Sequence, residues 1–173
     1  MHRHCVGWRV FIFIMQLGWL MFHIILFAPQ IPPNTGNIIR LSANTGAQLH
    51  LIEPLGFRLD EKSCRRAGLD YHALADVHLY KNLDDCIETL GSARLFSITS
   101  HGTKSLFDQK FMTGDAFLFG SETAGLPENI HARFTAEQKL RLPMIAGNRS
   151  LNLANAASIV VYEAWRQTGF ATG

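Results

Sequence analysis

Residues Leu140–Trp165 read LRLPMIAGNRSLNLANAASIVVYEAW. The opening residues, within KLRLPM, predict a strand that stops at Pro143. A glycine-containing loop follows, and then a helix over Ser150–Gln167 that is apolar except at its start. Asparagine is a poor helix former because its amide competes for backbone hydrogen bonds. Ser150 can cap the helix, but Asn152, Asn155, Tyr162 and Arg166 then share one face at the helical period, interrupted by Ile159. The opposite side carries Ala154, Ala157, Val161, Ala164 and Trp165, mostly small residues that allow another backbone to pack closely. One asparagine would be a cap. Several polar residues predict that something polar is held at this end of the helix.

Upstream the same strand–helix alternation continues. A strand over Phe22–Phe27 is stopped by Pro32 and Pro33, and Asn34 is placed to cap a helix that ends at Gly46. QLHLIEP, Gln48–Pro54, predicts a second strand. Residues 56–77 are polar and basic and predict a short helix with loop. NLDDCIETL predicts a helix, RLFSITS a strand, AFLFG (Ala116–Gly120) a strand, LPENIHARF a loop or short helix, and KLRLPM the last strand. There is no repeat and no low-complexity linker. The expected class is α/β, a largely parallel sheet with helices on both faces.

With 173 residues, 47% of them hydrophobic, the chain has enough material for one domain with a substantial core. A net charge of +2 is too small to hold a polyanion by bulk electrostatics, so any basic surface must be local. Cys5, Cys64 and Cys86 form no CxxC pair. They read as free thiols of a reducing, cytoplasmic compartment rather than a disulfide frame or metal site. The first twenty residues carry Arg3 and Arg9 before an apolar run. Extended to Ala28, that run approaches the roughly 20 residues of a membrane span. It also resembles a signal peptide without a cleavage site. The reading adopted is that residues 1–20 are an extension outside the fold, that residues 21–173 form a single domain, and that no membrane is involved.

Two more stretches carry chemistry. In PPNTGNIIRLSANTG, Ile38, Ile39 and Leu41 mark a core face, and Arg40 among them either snorkels or points into a cleft. In FLFGSETAGLP an apolar strand ends at Gly120, and Ser121, Glu122 and Thr123 follow before Gly125. Ligands of open α/β sheets sit beyond the carboxyl ends of strands, where this loop lies. It is neither GxSxG nor GxGxxG nor a phosphate-binding Walker loop, so a serine hydrolase, a dinucleotide enzyme and an ATPase lack sequence support.

Taken together, PPNTGNIIRLSANTG, FLFGSETAGLP and the Leu140–Gln167 stretch resemble, in order, the three motifs of the SPOUT-class RNA ribose 2′-O-methyltransferases. The resemblance spans Met21 to Phe170. The short length and RRAGLDYH, Arg65–His72, are similar to the small bacterial members that methylate the wobble nucleotide of leucine tRNAs. It implies a SPOUT-type parallel sheet with a deep C-terminal trefoil knot, S-adenosylmethionine as cofactor, tRNA as partner and a homodimer. Position by position, it implies that Ile98, Gly120, Leu142 and Ser150 hold the cofactor. Arg40, with Asn34, Glu122, Ser150 and Asn152, would form the catalytic site, and Arg65, Arg66 and Tyr162 would contact tRNA. Ser121 stands where proline is common in the family. A 2′-O-methyltransferase acting on another tRNA position or on ribosomal RNA, a non-catalytic RNA-binding α/β protein and a membrane-anchored protein are the rival readings.

Overall fold

The computed structural model describes residues 22–58 and 77–171. The predicted extension, Cys5, Cys64, Arg65 and Arg66 lie outside the described residues. The elements run β1 (His23–Phe27), α1 (Pro32–Thr45), β2 (Gln48–Ile52), β3 (Val77–Tyr80), α2 (Leu83–Leu90), β4 (Leu95–Ile98), β5 (Lys104–Ser105), β6 (Ala116–Phe119), α3 (Glu128–His131), β7 (Lys139–Arg141) and α4 (Leu153–Gln167). The sheet has seven strands in the order β3-β2-β1-β6-β4-β7-β5, and every pairing is parallel.

β6 is apolar throughout, and β1 is apolar after His23, because both of their faces are covered. Alternation at period two sends Ile24, Leu26, Phe117 and Phe119 to one face, where α1 and α4 pack on the sheet and on each other. It sends Ile25, Ile52, Ala116 and Leu118 to the other, under Leu83 and Cys86 of α2 and Ile130 of α3. The expected small-residue face of α4 is its buried face: Ala154, Ala157, Val161 and Ala164 are all buried, with Val160 beside them.

Three local expectations are corrected. α4 begins at Leu153, and its cap is Asn152, whose Oδ1 accepts from the N–H groups of Ala154 and Asn155; Ser150 is left in the preceding loop. α1 begins at Pro32 with Ile31 as its cap residue, so Asn34 lies in the first turn with its amide free to bond elsewhere. β3 and β5, absent from the sequence reading, are the two edge strands.

On the second face, β1, β2 and β3 bring three histidines together. His23 Nδ1 lies 3.1 Å from His50 Nε2, His50 Nδ1 lies 3.3 Å from the Tyr80 hydroxyl, and the His78 ring stacks on His50. Burial, with His78 adding, pushes His23 down to about 4. Burial, with His23 and His78 adding, pushes His50 down to about 3. The folded state therefore keeps both rings neutral where the unfolded chain, at about 6.5, already takes protons. Stability contributed above pH 6.5 is lost as pH falls toward the folded values. At pH 4.5 the pair should cost about 4–5 kcal/mol of a total that is ordinarily about 5–15 kcal/mol. Urea midpoints at pH 7 and 4.5 test this. The acid loss should shrink in His50→Leu, and an equal loss in that variant would remove the histidines from the account.

Candidate active site

Beyond the carboxyl ends of β1, β4, β6 and β7 lies a cavity of about 570 Å³. Its walls come from Ile31 and Asn34 at the start of α1, from residues 98–101 after β4, and from residues 119–126 after β6. Glu128 and His131 of α3, together with residues of the stretch from Arg141 to Leu153 and Ala156, complete it. This size is in the range of small-molecule sites. The position is where ligands of parallel α/β sheets bind.

The polar end of the cavity is a chain of oriented hydrogen bonds. Asn152 Oδ1 is committed to the backbone of α4, so its Nδ2 must donate, and it donates to Asn34 Oδ1 at 2.8 Å. That in turn leaves Asn34 Nδ2 as a donor, and it reaches Glu122 Oε1 at 3.0 Å. Glu122 also accepts from the backbone N–H groups of Gln30 (2.8 Å, Oε2) and Ile31 (3.2 Å, Oε1). Pro32 and Pro33 have no N–H, so two of the donors that a helix N-terminus leaves unsatisfied are missing here. Glu122, carried in from the loop after β6, takes the two that precede them. The amide-rich opening of α4 is thereby explained: Asn152 caps its own helix and joins it to α1 and to the β6 loop through one relay.

Ile98, Gly120, Leu142 and Ser150 all line the cavity, as do Asn34, Glu122 and Asn152. Two expected residues do not. Arg40 is exposed on α1, six residues beyond Asn34 and thus about 9 Å further along the axis. Tyr162 is 47% exposed and lies about 15 Å along α4 from Asn152. The stripe of Asn155, Ile159, Tyr162 and Arg166 forms an outward surface of α4, with Arg166 ion-paired to Glu163, instead of facing the cavity. The face toward the cavity is set by Leu153 and Ala156.

Other lining residues carried no signal in the sequence. His101 and His131 meet edge to face at 5.6 Å between ring centres, and Arg141 also lines the cavity. Burial first, and then His101, hold His131 below the ordinary histidine value. Nothing in ENIHARF marks His131 as a site residue, because its partner lies thirty residues upstream on another loop.

Residues 21–162 match the SpoU rRNA Methylase family. The chain belongs to that family. A relative from Burkholderia ambifaria, named tRNA (cytidine(34)-2′-O)-methyltransferase, is 56% identical over 155 residues, covering 88% of this chain and 99% of its own. A Yersinia pestis relative of the same name is 54% identical over 155 residues, covering 87% of this chain and 96% of its own. Among solved structures, one concerned with the 2-OH methylation of C/U34 on tRNA has a TM-score of 0.80 at 43% identity, over 89% of this chain and all of the other. The SpoU methyltransferase AviRb from Streptomyces viridochromogenes, solved with AdoMet, has a TM-score of 0.73 at 27% identity, over 86% of this chain and 58% of that one. Gly120, Glu122, Asn34 and Asn152 thus gather in one SpoU-family cavity from three separate stretches of chain. No helix among the described residues is long and apolar enough to cross a membrane.

Proposed function

We propose that this chain is a cytoplasmic, homodimeric tRNA 2′-O-methyltransferase. It would methylate the wobble nucleotide, cytidine or 5-carboxymethylaminomethyluridine, of leucine tRNAs. The observation that carries the reading is the Glu122–Asn34–Asn152 relay at the polar end of a cavity of cofactor size. Relatives that match nearly end to end, and bear the wobble-position name, support it. The cavity fits an adenosine-bearing cofactor: Ile98 and Leu142 offer apolar walls, Gly120 brings backbone close, and Ser150 stands at the mouth. Bound there, S-adenosylmethionine supplies a sulfonium methyl as electrophile.

The remaining work belongs to this chain's residues. Both Glu122 oxygens are occupied by donors, so its task is to fix Asn34 and the start of α1. Asn34 and Asn152, bonded to each other, hold the site together with Glu122, and Ser150 and Asn152 stand where the target ribose enters. Arg40 clamps a phosphate and polarises the 2′-oxygen, whose proton passes to that phosphate or to water, since an arginine does not give up its own proton near neutral pH. Tyr162, Arg65 and Arg66 contact tRNA, and a second protomer completes that surface. The trefoil knot belongs to the same reading: β7 pairs with β4 and β5, yet the chain returns from it to pack α4 against α1.

The decisive experiment is nucleoside mapping by mass spectrometry of tRNA from a deletion strain, with and without the restored gene. Ribose methylation at the wobble position of leucine tRNAs should vanish and return with the gene. A loss confined to another tRNA position or to ribosomal RNA would overturn the substrate assignment.

A further inference from the structure

The turn between β1 and α1, residues 28–31, is held by more contacts than a four-residue connection requires. Ala28 adopts φ 47°, a left-handed conformation disfavoured for a residue with a Cβ. Its N–H donates to Ile52 O at 2.9 Å, and its carbonyl accepts from Gln30 Nε2 at 2.8 Å. The Gln30 and Ile31 N–H groups end on the two oxygens of Glu122. From the other side Gly56 N–H donates to Pro29 O at 2.9 Å. A Cβ on Gly56 would lie 2.8 Å from Gln30 Cα and 2.9 Å from its Cδ, so the approach of these two segments requires glycine.

This turn is also the mounting of α1. Pro32 and Pro33 donate nothing, and the Asn34 N–H is used within the turn, on Ile31 O. Among the described residues, the hydrogen bonds that tie the start of the helix to the β6 loop come from Gln30 N–H, Ile31 N–H and the Asn34 amide, all three on Glu122. Glu122 lies in the loop that opens at Gly120, on the cavity, and α1 carries Arg40 on its exposed side.

We propose that Gln30 and Gly56 are positioning residues. With Glu122 they form a joint that couples occupancy of the cavity to the placement of α1, so that cofactor and tRNA each tighten the binding of the other. The inference rests on the functional reading above, in which the cofactor fills the cavity and α1 faces RNA. A tie of this kind works in both directions, because coupling free energies are reciprocal. Gln30 itself is outside the cavity wall: its side-chain amide closes the turn onto Ala28 O and so aims its backbone N–H at Glu122.

The test measures S-adenosylhomocysteine binding to the full chain by calorimetry, alone and with saturating leucine tRNA. Wild type should bind it about tenfold more tightly with tRNA present, within the roughly 5- to 150-fold span of such couplings. Gln30→Ala should leave each ligand's separate affinity nearly unchanged, bring the ratio close to one, and lower kcat without raising the KM for cofactor. Gly56→Ala, whose methyl pushes Gln30 aside, should behave likewise. Gln30→Ala removes side-chain atoms from an exposed residue, so it keeps the test open if Gly56→Ala fails to fold. A wild-type ratio of one, or an unchanged ratio in Gln30→Ala, overturns the joint while leaving the functional reading intact. Absence of binding by either ligand to wild type overturns both.

Discussion

Gly120→Ala is expected to abolish cofactor binding, with at least about a 100-fold loss of S-adenosylhomocysteine affinity, or ~2.7 kcal/mol. The structure places crowding at this position within the loop itself. A Cβ at Gly120 would lie 2.7 Å from Gly125 Cα, and nearer still to the Gly125 carbonyl carbon and the Leu126 nitrogen. The loop closes on itself, with Ser121 and Gly125 exchanging backbone hydrogen bonds at 3.1 and 2.9 Å. Neither backbone can yield as a flexible side chain would. The added methyl must open residues 121–125 and carry Glu122 away from Asn34 and the α1 turn. Gly125→Ala is the comparison: its Cβ would meet nothing within 4 Å, and only its φ of 68° opposes it. That strain is worth about 1–2 kcal/mol and should reduce affinity less. Calorimetry on both variants, with far-ultraviolet circular dichroism to confirm folding, checks the order. Wild-type affinity in Gly120→Ala would remove this loop from the site.

What could be read in the sequence follows from how local each determinant is. β6, and β1 after His23, are continuous apolar runs because both faces of the sheet are covered there, so composition alone marks them. The four-residue VHLY of β3 has two exposed side chains and sits at an edge, where nothing forces an apolar pattern. β5 has two residues and no pattern at all. Asn34 and Ser150 were legible as polar residues at helix starts, and capping is the local use of such residues. The use made of Asn34 depends on Glu122, 88 residues away, and on Asn152, 118 residues away. No window of sequence contains those partners. The motif resemblance reached further, since all four cofactor positions that it implied line one cavity. The polar stripe on α4 was legible as a face but not as a location. A helical period identifies which residues share a face but not what that face meets, and here its far end points away from the cavity.

Arg40→Ala is expected to lower methyl transfer about 100- to 1,000-fold, the usual cost of removing one group that stabilises charge developing on an oxygen. Cofactor affinity should be unchanged, because Arg40 is not among the residues that line the cavity. It stands on the outer side of the helix whose first turn belongs to the site. The proposed clamp on phosphate and 2′-oxygen depends on the forked geometry of a guanidinium, which a lysine ammonium does not reproduce. Arg40→Lys should therefore recover tRNA affinity more than turnover, whereas a purely electrostatic role would let lysine restore both. Single-turnover rates under saturating tRNA separate the two. The exposed position also makes a second protomer relevant, since about 9 Å of helix separates Arg40 from Asn34 of its own chain. Mixed dimers that pair an Arg40→Ala protomer with a Tyr162→Ala protomer should regain part of the wild-type rate if one site draws on both chains. Rates no better than those of the two parent variants would confine each site to one protomer. Wild-type turnover in Arg40→Ala would exclude Arg40 from the chemistry and leave polarisation of the 2′-oxygen to groups at the cavity mouth.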